Sequence, residues 1–208
     1  MTDIFRKFTE KLVPPVGELP HKEFDEHQTY ASEAEAIHAY QTARTRLVHP
    51  QQWECLTHNL GACFEPFSAD HTAISGPVAL GNFLKIVLPI PGDPYLDWVR
   101  IEALEDGTEG ADEAFIGMRV RPTEDLEQSG HQTAHFFGKE ATSTWVLHRH
   151  GKNVSAYYYG RGEVRNEESR SFWKKLRDTL VAWAGVAGFS DLQWKGLLKA
   201  LLPEPSEE

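Results

Sequence analysis

The hydrophobic period of this chain changes twice, and that double switch limits the folds open to it. Apolar residues recur at helical spacing up to about residue 50. Between residues 82 and 161 they alternate, and from about residue 168 to 201 the helical spacing returns. A helical pattern cannot settle as a strand, nor an alternating one as a helix, because side chains repeat every 3.6 residues in one and every two in the other. Helices at both ends that bracket an uninterrupted run of strands predict an α+β fold, not a βαβ unit: an antiparallel β-sheet over about residues 82–161, flanked by N-terminal and C-terminal helices.

Local signals place the elements. Residues 3–13 set Ile4, Phe5, Phe8 and Leu12 on one side of a short helix that Pro14-Pro15 stops. Residues 14–30, with three prolines and mixed charges, read as an extended loop within an N-terminal arm, 1–30. Ser32-Glu33-Ala34-Glu35 is a capping-box pattern. It opens a helix over 32–48 whose stripe is Ala36, Ile37, Tyr40, Ala43 and Leu47, and His49-Pro50 closes it. A further helical turn is expected around Trp53 and Leu56. In the alternating region Leu84, Ile86 and Leu88 should face the core. Val99, Ile101 and Ala103 should lie opposite Trp98, Arg100 and Glu102, and Ile116, Met118 and Val120 opposite Arg119 and Arg121. The runs 141–149 and 153–161 form a hairpin through His150-Gly151-Lys152-Asn153. Residues 169–187 place Leu180 and Trp183 on an apolar helix face that Gly188 ends. Ser190 then caps a second helix carrying Trp194, Leu197, Leu198 and Leu201, before a charged tail at 203–208. The 208 residues are read as a single domain.

Composition excludes several classes. Hydrophobic content of 40% and six tryptophans fit a packed globular chain, not a disordered one. A net charge of -10 argues against general nucleic-acid binding, which needs a basic face. The charge is unevenly spread: residues 93–140 carry twelve acidic against four basic residues, and 141–202 carry ten basic against five acidic. The first residues, MTDIFRKFTEKLVPP, hold no continuous apolar stretch, and no window is long enough to span a membrane. Two cysteines make no disulfide framework. The expectation is a soluble cytoplasmic protein with no membrane partner.

Four places carry residue types suited to chemistry. His148 and His150 share a strand face and could supply two metal ligands, with His135, Glu140 or Glu163 as a third. His-x-His resembles one piece of the cupin metal motif, whose remaining spacing is missing here. The plainer alternative is two polar residues beside a turn. Cys55 and Cys63 flank His58, and a Cys–His pair can make a nucleophile, but two small buried core residues fit as well. Residues 134–145 hold His135, Glu140, Thr142, Ser143, Thr144 and Trp145 and form a candidate pocket wall, although no Gly-x-Ser-x-Gly elbow surrounds Ser143. Tyr157, Tyr159 and Arg161 share one face of the last strand, while Val154, Ala156 and Tyr158 share the other. Two tyrosines and an arginine facing outward suit recognition of a partner, and Trp145 or His148 would join them across the hairpin.

No phosphate loop, dinucleotide fingerprint or catalytic triad motif occurs, and no cofactor is implied. The functional expectation is therefore a non-enzymatic module that binds a protein or a small ligand. Its binding residues would be Tyr157, Tyr159, Arg161, Trp145 and His135. The alternative is a metal-dependent hydrolase-type enzyme built on His148 and His150.

Overall fold

The computed structural model describes residues 2–57, 62–88, 95–109, 111–124, 137–164 and 186–206. Its elements run α1 (Asp3–Leu12), β1 (His21–Thr29), α2 (Glu33–Leu47), a 3-10 turn (Pro50–Gln52) and α3 (Trp53–Leu56). Strands β2 (Cys63–Phe67), β3 (Phe83–Leu88), β4 (Tyr95–Glu109), β5 (Glu113–Pro122), β6 (Thr142–His150) and β7 (Asn153–Arg161) follow, then α4 (Val186–Leu201). All seven strands join one antiparallel sheet in the order β1-β7-β6-β5-β4-β3-β2. The first two strands are thus its opposite edges, and α2 and α3 connect them.

The expected α+β architecture is present, with a wider sheet than the alternation marks. Residues 21–29, expected to be loop, pair along their whole length with β7, from His21↔Arg161 to Thr29↔Asn153. The segment HKEFDEHQT carries one apolar side chain, Phe24, so it gives no hydrophobic alternation. A polar edge strand also resists pairing with other chains. Strand β2 gives no readable alternation either: it is short and contains Pro66, which an edge strand tolerates.

The two faces of the sheet are covered differently. The inner face carries Leu84, Val99, Ile101, Ile116, Met118, Trp145, Leu147, Val154, Ala156 and Tyr158, packed against α2, Trp53 and α4. The outer face carries Phe115 and Val146, with Ala103, Tyr157 and Tyr159, packed against Phe5, Phe8 and Leu12 of α1. The helices from the two chain ends therefore lie on opposite faces.

A β-bulge corrects one expected face. The register of β4 on β5 shifts between Ile101 and Ala103, so Ala103 turns to the outer face while Leu104 packs with the inner core. Glu102, at the bulge, forms ion pairs with Arg119 and Arg121 of β5.

Helix α2 starts as expected, with Ser32 Oγ accepting from Glu35 N at 3.2 Å, while Glu35 Oε2 accepts from the Ala31 N–H at 3.0 Å. Its buried stripe is Ala36, Ala39, Tyr40, Ala43 and Leu47, whereas Ile37 is 44% exposed and does not belong to it. Helix α4 runs through Gly188 and Ser190, where a break and a new cap were expected. One glycine costs a helix about 1 kcal/mol, less than packing returns from the rest of the apolar face. Leu197, Leu198 and Leu201 of that face are buried as expected. Most of the expected helix at 169–187, with Leu180 and Trp183, lies outside the described residues, as do His58 and His135. The hairpin turn holds, with Gly151 at φ 56° and His150 paired to Asn153.

Docking of α1 depends on a glycine. A Cβ on Gly117 would overlap Leu12 Cδ2, so the absence of that atom lets the helix lie against β5. The cations on the outer face then bond the end of α1: Arg119 donates to Leu12 O at 2.6 Å and Arg161 Nε to Pro14 O at 3.1 Å. Leu12 is 1% exposed. Leu12→Ala should destabilise the protein by about 2–5 kcal/mol in urea denaturation, and a loss below about 1 kcal/mol would show that α1 is peripheral.

Candidate functional site

The sequence-expected residues divide between the two faces. Tyr157, Tyr159 and Arg161 lie on the outer face, and α1 and the chain after it cover them in part. Tyr157 packs against Phe5, with ring centroids 5.5 Å apart, and is half-buried, as is Tyr159. Arg161 is 8% exposed; it bonds Glu23 at 2.5 Å and lies over the Tyr159 ring at 5.5 Å. Burial first of all lifts the Tyr159 phenol to about 12. His148 is on this face too, and Trp145 is on the other.

His148 and His150 do point the same way, with rings 6.3 Å apart, but in different surroundings. His150 is exposed. His148 is buried, stacks on Phe5 at 3.9 Å and donates from Nε2 to Glu113 Oε1 at 2.7 Å. Glu113, which the residue pattern did not single out, also accepts from Thr2. Glu140 is exposed near Arg121, and Glu163 lies inside among inner-face residues. Among the described residues, no three His, Cys, Asp or Glu side chains are grouped to hold a metal ion. The cysteines are not core residues as expected: Cys55 is exposed and Cys63 partly buried. Desolvation first, then Glu54, pushes the Cys63 thiol up to about 11, which disfavours the nucleophilic thiolate.

The inner face holds a different assembly. Trp145 of β6 and Tyr158 of β7 are cross-strand partners. Trp53 of α3 packs on Trp145 at 5.1 Å and on Phe64 of β2 at 5.0 Å. Trp194 of α4 stacks on Tyr158 at 5.0 Å and meets Trp145 edge-on at 5.2 Å. Five elements thus bring five rings together between α4 and the sheet. The contacts satisfy the ring faces and leave the polar edges open. The indole Nε1 of Trp145 and that of Trp194 are buried and have no hydrogen-bond partner among the described residues.

A polar group closes one end of the ring cluster. The Tyr158 hydroxyl donates to Glu163 Oε1 at 2.5 Å and lies 3.0 Å from Ser143 Oγ. Two glycines permit this. Gly162, at φ 64°, turns the chain back after β7, and a Cβ on Gly160 would overlap Glu163 Oε1. Burial raises the Glu163 carboxyl above its ordinary value, against the lowering effect of Tyr158 and Lys22. Lys22 Nζ is 4.0 Å from Glu163 Oε2 and 2.6 Å from Asp191 of α4, which ties edge strand β1 to that helix. In the sequence, Tyr158 read as core, Trp194 as one residue of an apolar helix face and Glu163 as a metal ligand. The flanking Gly160 and Gly162 were the available signal for a side chain folded back.

No family model matches the chain, and no curated protein matches it. Solved structures resemble it at a low level. TTHA0849 from Thermus thermophilus is 13% identical, with TM-score 0.42 over 88% of this chain and 94% of that one. The Zhui aromatase/cyclase from Streptomyces sp. R1128 is 9% identical, with TM-score 0.41 over the same shares. Ginseng major latex-like protein 151 from Panax ginseng is 11% identical, with TM-score 0.37 over 88% and 99%. Likeness of this degree assigns neither family nor activity to the chain.

The His148–Glu113 pair gives a pH dependence. Burial holds the His148 imidazole below its ordinary 6.5, against the pull of Glu113, so the folded protein keeps it neutral where the unfolded chain takes up a proton. Stability from this group is present above pH 6.5 and falls as pH drops below that value. The Glu113 carboxyl is raised by burial but lowered more by its hydrogen bonds with Thr2 and His148, so its contribution is lost only in a more acid range, below its ordinary 4.5. The urea midpoint should therefore decline from about pH 7 towards about pH 5.5, and His148→Gln, which still donates but cannot titrate, should flatten that decline. An unchanged slope in the variant would show that His148 is not the source.

Proposed function

We propose that the chain binds a small, largely apolar ligand carrying a hydrogen-bond acceptor, between α4 and the inner face of the sheet. One observation carries this reading: two buried indole N–H groups inside a cluster of aromatic rings, Trp145 Nε1 and Trp194 Nε1, find no acceptor among the described residues. A buried donor without a partner costs about 1–3 kcal/mol, and a bound carbonyl or ether oxygen would recover that cost. Apolar walls with a few directed polar groups are the usual lining of a small-molecule site. Trp194 is only partly buried, so α4 supplies a wall that reaches the surface. The rings give contact area, the indole N–H groups give direction, and no step of chemistry is required of them. No described helix is long and apolar enough to cross a membrane.

Nile red, a neutral dye with a carbonyl acceptor, tests the reading through its fluorescence. Saturable binding of one dye per chain is expected. Trp145→Phe and Trp194→Phe each keep a ring and remove a donor, so each should weaken binding roughly two- to tenfold. Binding that does not saturate, or that neither substitution changes, would defeat the proposal.

A further inference from the structure

We propose that Glu163 is a polar subsite of the proposed binding site and that its Oε2 accepts a neutral hydroxyl of the ligand, a phenolic or enolic O–H. The inference rests on the ligand-binding reading above and names the chemistry of one end of the ligand.

The carboxylate is half satisfied. Oε1 accepts the Tyr158 hydroxyl at 2.5 Å, while Oε2 is buried with no hydrogen-bond partner among the described residues. The Glu163 side chain is 2% exposed, so bulk water does not supply the missing donor. The nearby cation does not supply it either, since Lys22 Nζ is 4.0 Å from Oε2 and committed to Asp191 at 2.6 Å. A buried carboxylate oxygen without a donor is among the costlier omissions a fold can carry.

The surroundings select the donor. The Tyr158 ring spans the interval between the indoles and Glu163, because the ring stacks on Trp194 while its hydroxyl touches the carboxylate. A flat ligand lying along these rings can therefore offer an acceptor to the indole N–H groups and a donor to Oε2. An ammonium donor is disfavoured, because Lys22 already places a positive charge beside the same oxygen. A neutral O–H escapes that repulsion. The glycines at 160 and 162 belong to the same device: both are needed to bring the carboxylate back over the inner end of β7. The raised carboxyl agrees with a site short of donors.

The competing occupant of Oε2 is a single buried water, and a matched ligand series separates the two. Binding of 2-naphthol, 2-methoxynaphthalene and 2-naphthylmethylammonium to the full chain is followed by quenching of tryptophan fluorescence, with Nile red as reference. In the unmodified protein, 2-naphthol should bind roughly tenfold more tightly than its methyl ether, since methylation removes the donor, keeps the rings and the oxygen, and adds one methyl group whose effect persists in Glu163→Gln. In Glu163→Gln that preference should shrink to about threefold or less, because a neutral acceptor replaces a charged one, while Nile red binding is retained. The first comparison needs no substitution, so it stands even where Glu163→Gln folds poorly. Equal affinity for naphthol and its ether in the unmodified protein would overturn the subsite and leave ligand binding standing. Tighter binding of the ammonium would overturn the neutral donor. Failure of the whole series and of Nile red would overturn the ligand-binding reading, and the subsite with it.

Discussion

The stacking of Trp194 on Tyr158 is the contact on which the arrangement of the inner face depends. Aliphatic cores tolerate small rotations of a helix over a sheet, because methyl groups repack at little cost. Flat rings do not, since offset or edge-on contacts fix both distance and tilt. Trp194 meets Tyr158 in one geometry and Trp145 in another, so the rotation of α4 about its axis is fixed. That rotation brings Asp191 to Lys22 and Lys195 over Phe24, which secures the polar edge strand β1. It also leaves the indole N–H groups unpartnered: contacts chosen for ring faces leave the ring edges to be satisfied by something else.

The outer face follows different rules. It is covered by a ten-residue helix, too short to hold its shape in water without packing. The means of holding it are local and specific. Gly117 opens the contact, Arg119 and Arg161 bond the carbonyls at its end, and Phe5 lies flat on His148. Two of these three devices involve charged or titratable groups that the covering helix removes from water. The outer face therefore carries the buried His148–Glu113 pair, whereas the inner face carries the aromatic cluster with a buried carboxylate at its end.

What could be read from the chain without its structure tracks how strongly each element repeats its pattern. The hairpin β6–β7, strands β3 and β5, and helix α2 have long runs at one period and stand where the pattern puts them. Strand β1 has one apolar residue in nine and no pattern to read, although it pairs along its full length. The bulge in β4 shows the limit of counting by twos. Val99 and Ile101 hold their phase, and one extra residue sends Ala103 to the other side. The site was less legible than the fold. Tyr157, Tyr159 and Arg161 share the expected face, but α1 partly covers it. Either Trp145 or His148 was expected to join Tyr157, Tyr159 and Arg161 across the hairpin; His148 shares their face, and Trp145 joined the opposite one with Trp53 and Trp194.

The sequence by itself determined the two periods, and so the α+β class, the sheet and the faces on which most strand residues lie. Periodicity is a local property, because the side-chain direction of residue i fixes that of i+2 in a strand and of i+4 in a helix. Which face each terminal helix covers is not local. Helices α1 and α4 both present an apolar stripe that either face of the sheet could have received. Only the tertiary structure decided it, through a missing Cβ at Gly117 that admits Leu12 on one side and the ring geometry around Trp194 on the other. The meeting of Glu163 with Tyr158 and Ser143 has the same origin, since it depends on a positive φ at Gly162 and on the space above Gly160. The two glycines mark in the sequence that a side chain can fold back there, but not what it meets, because that partner is set by distances between elements and not by spacing within them.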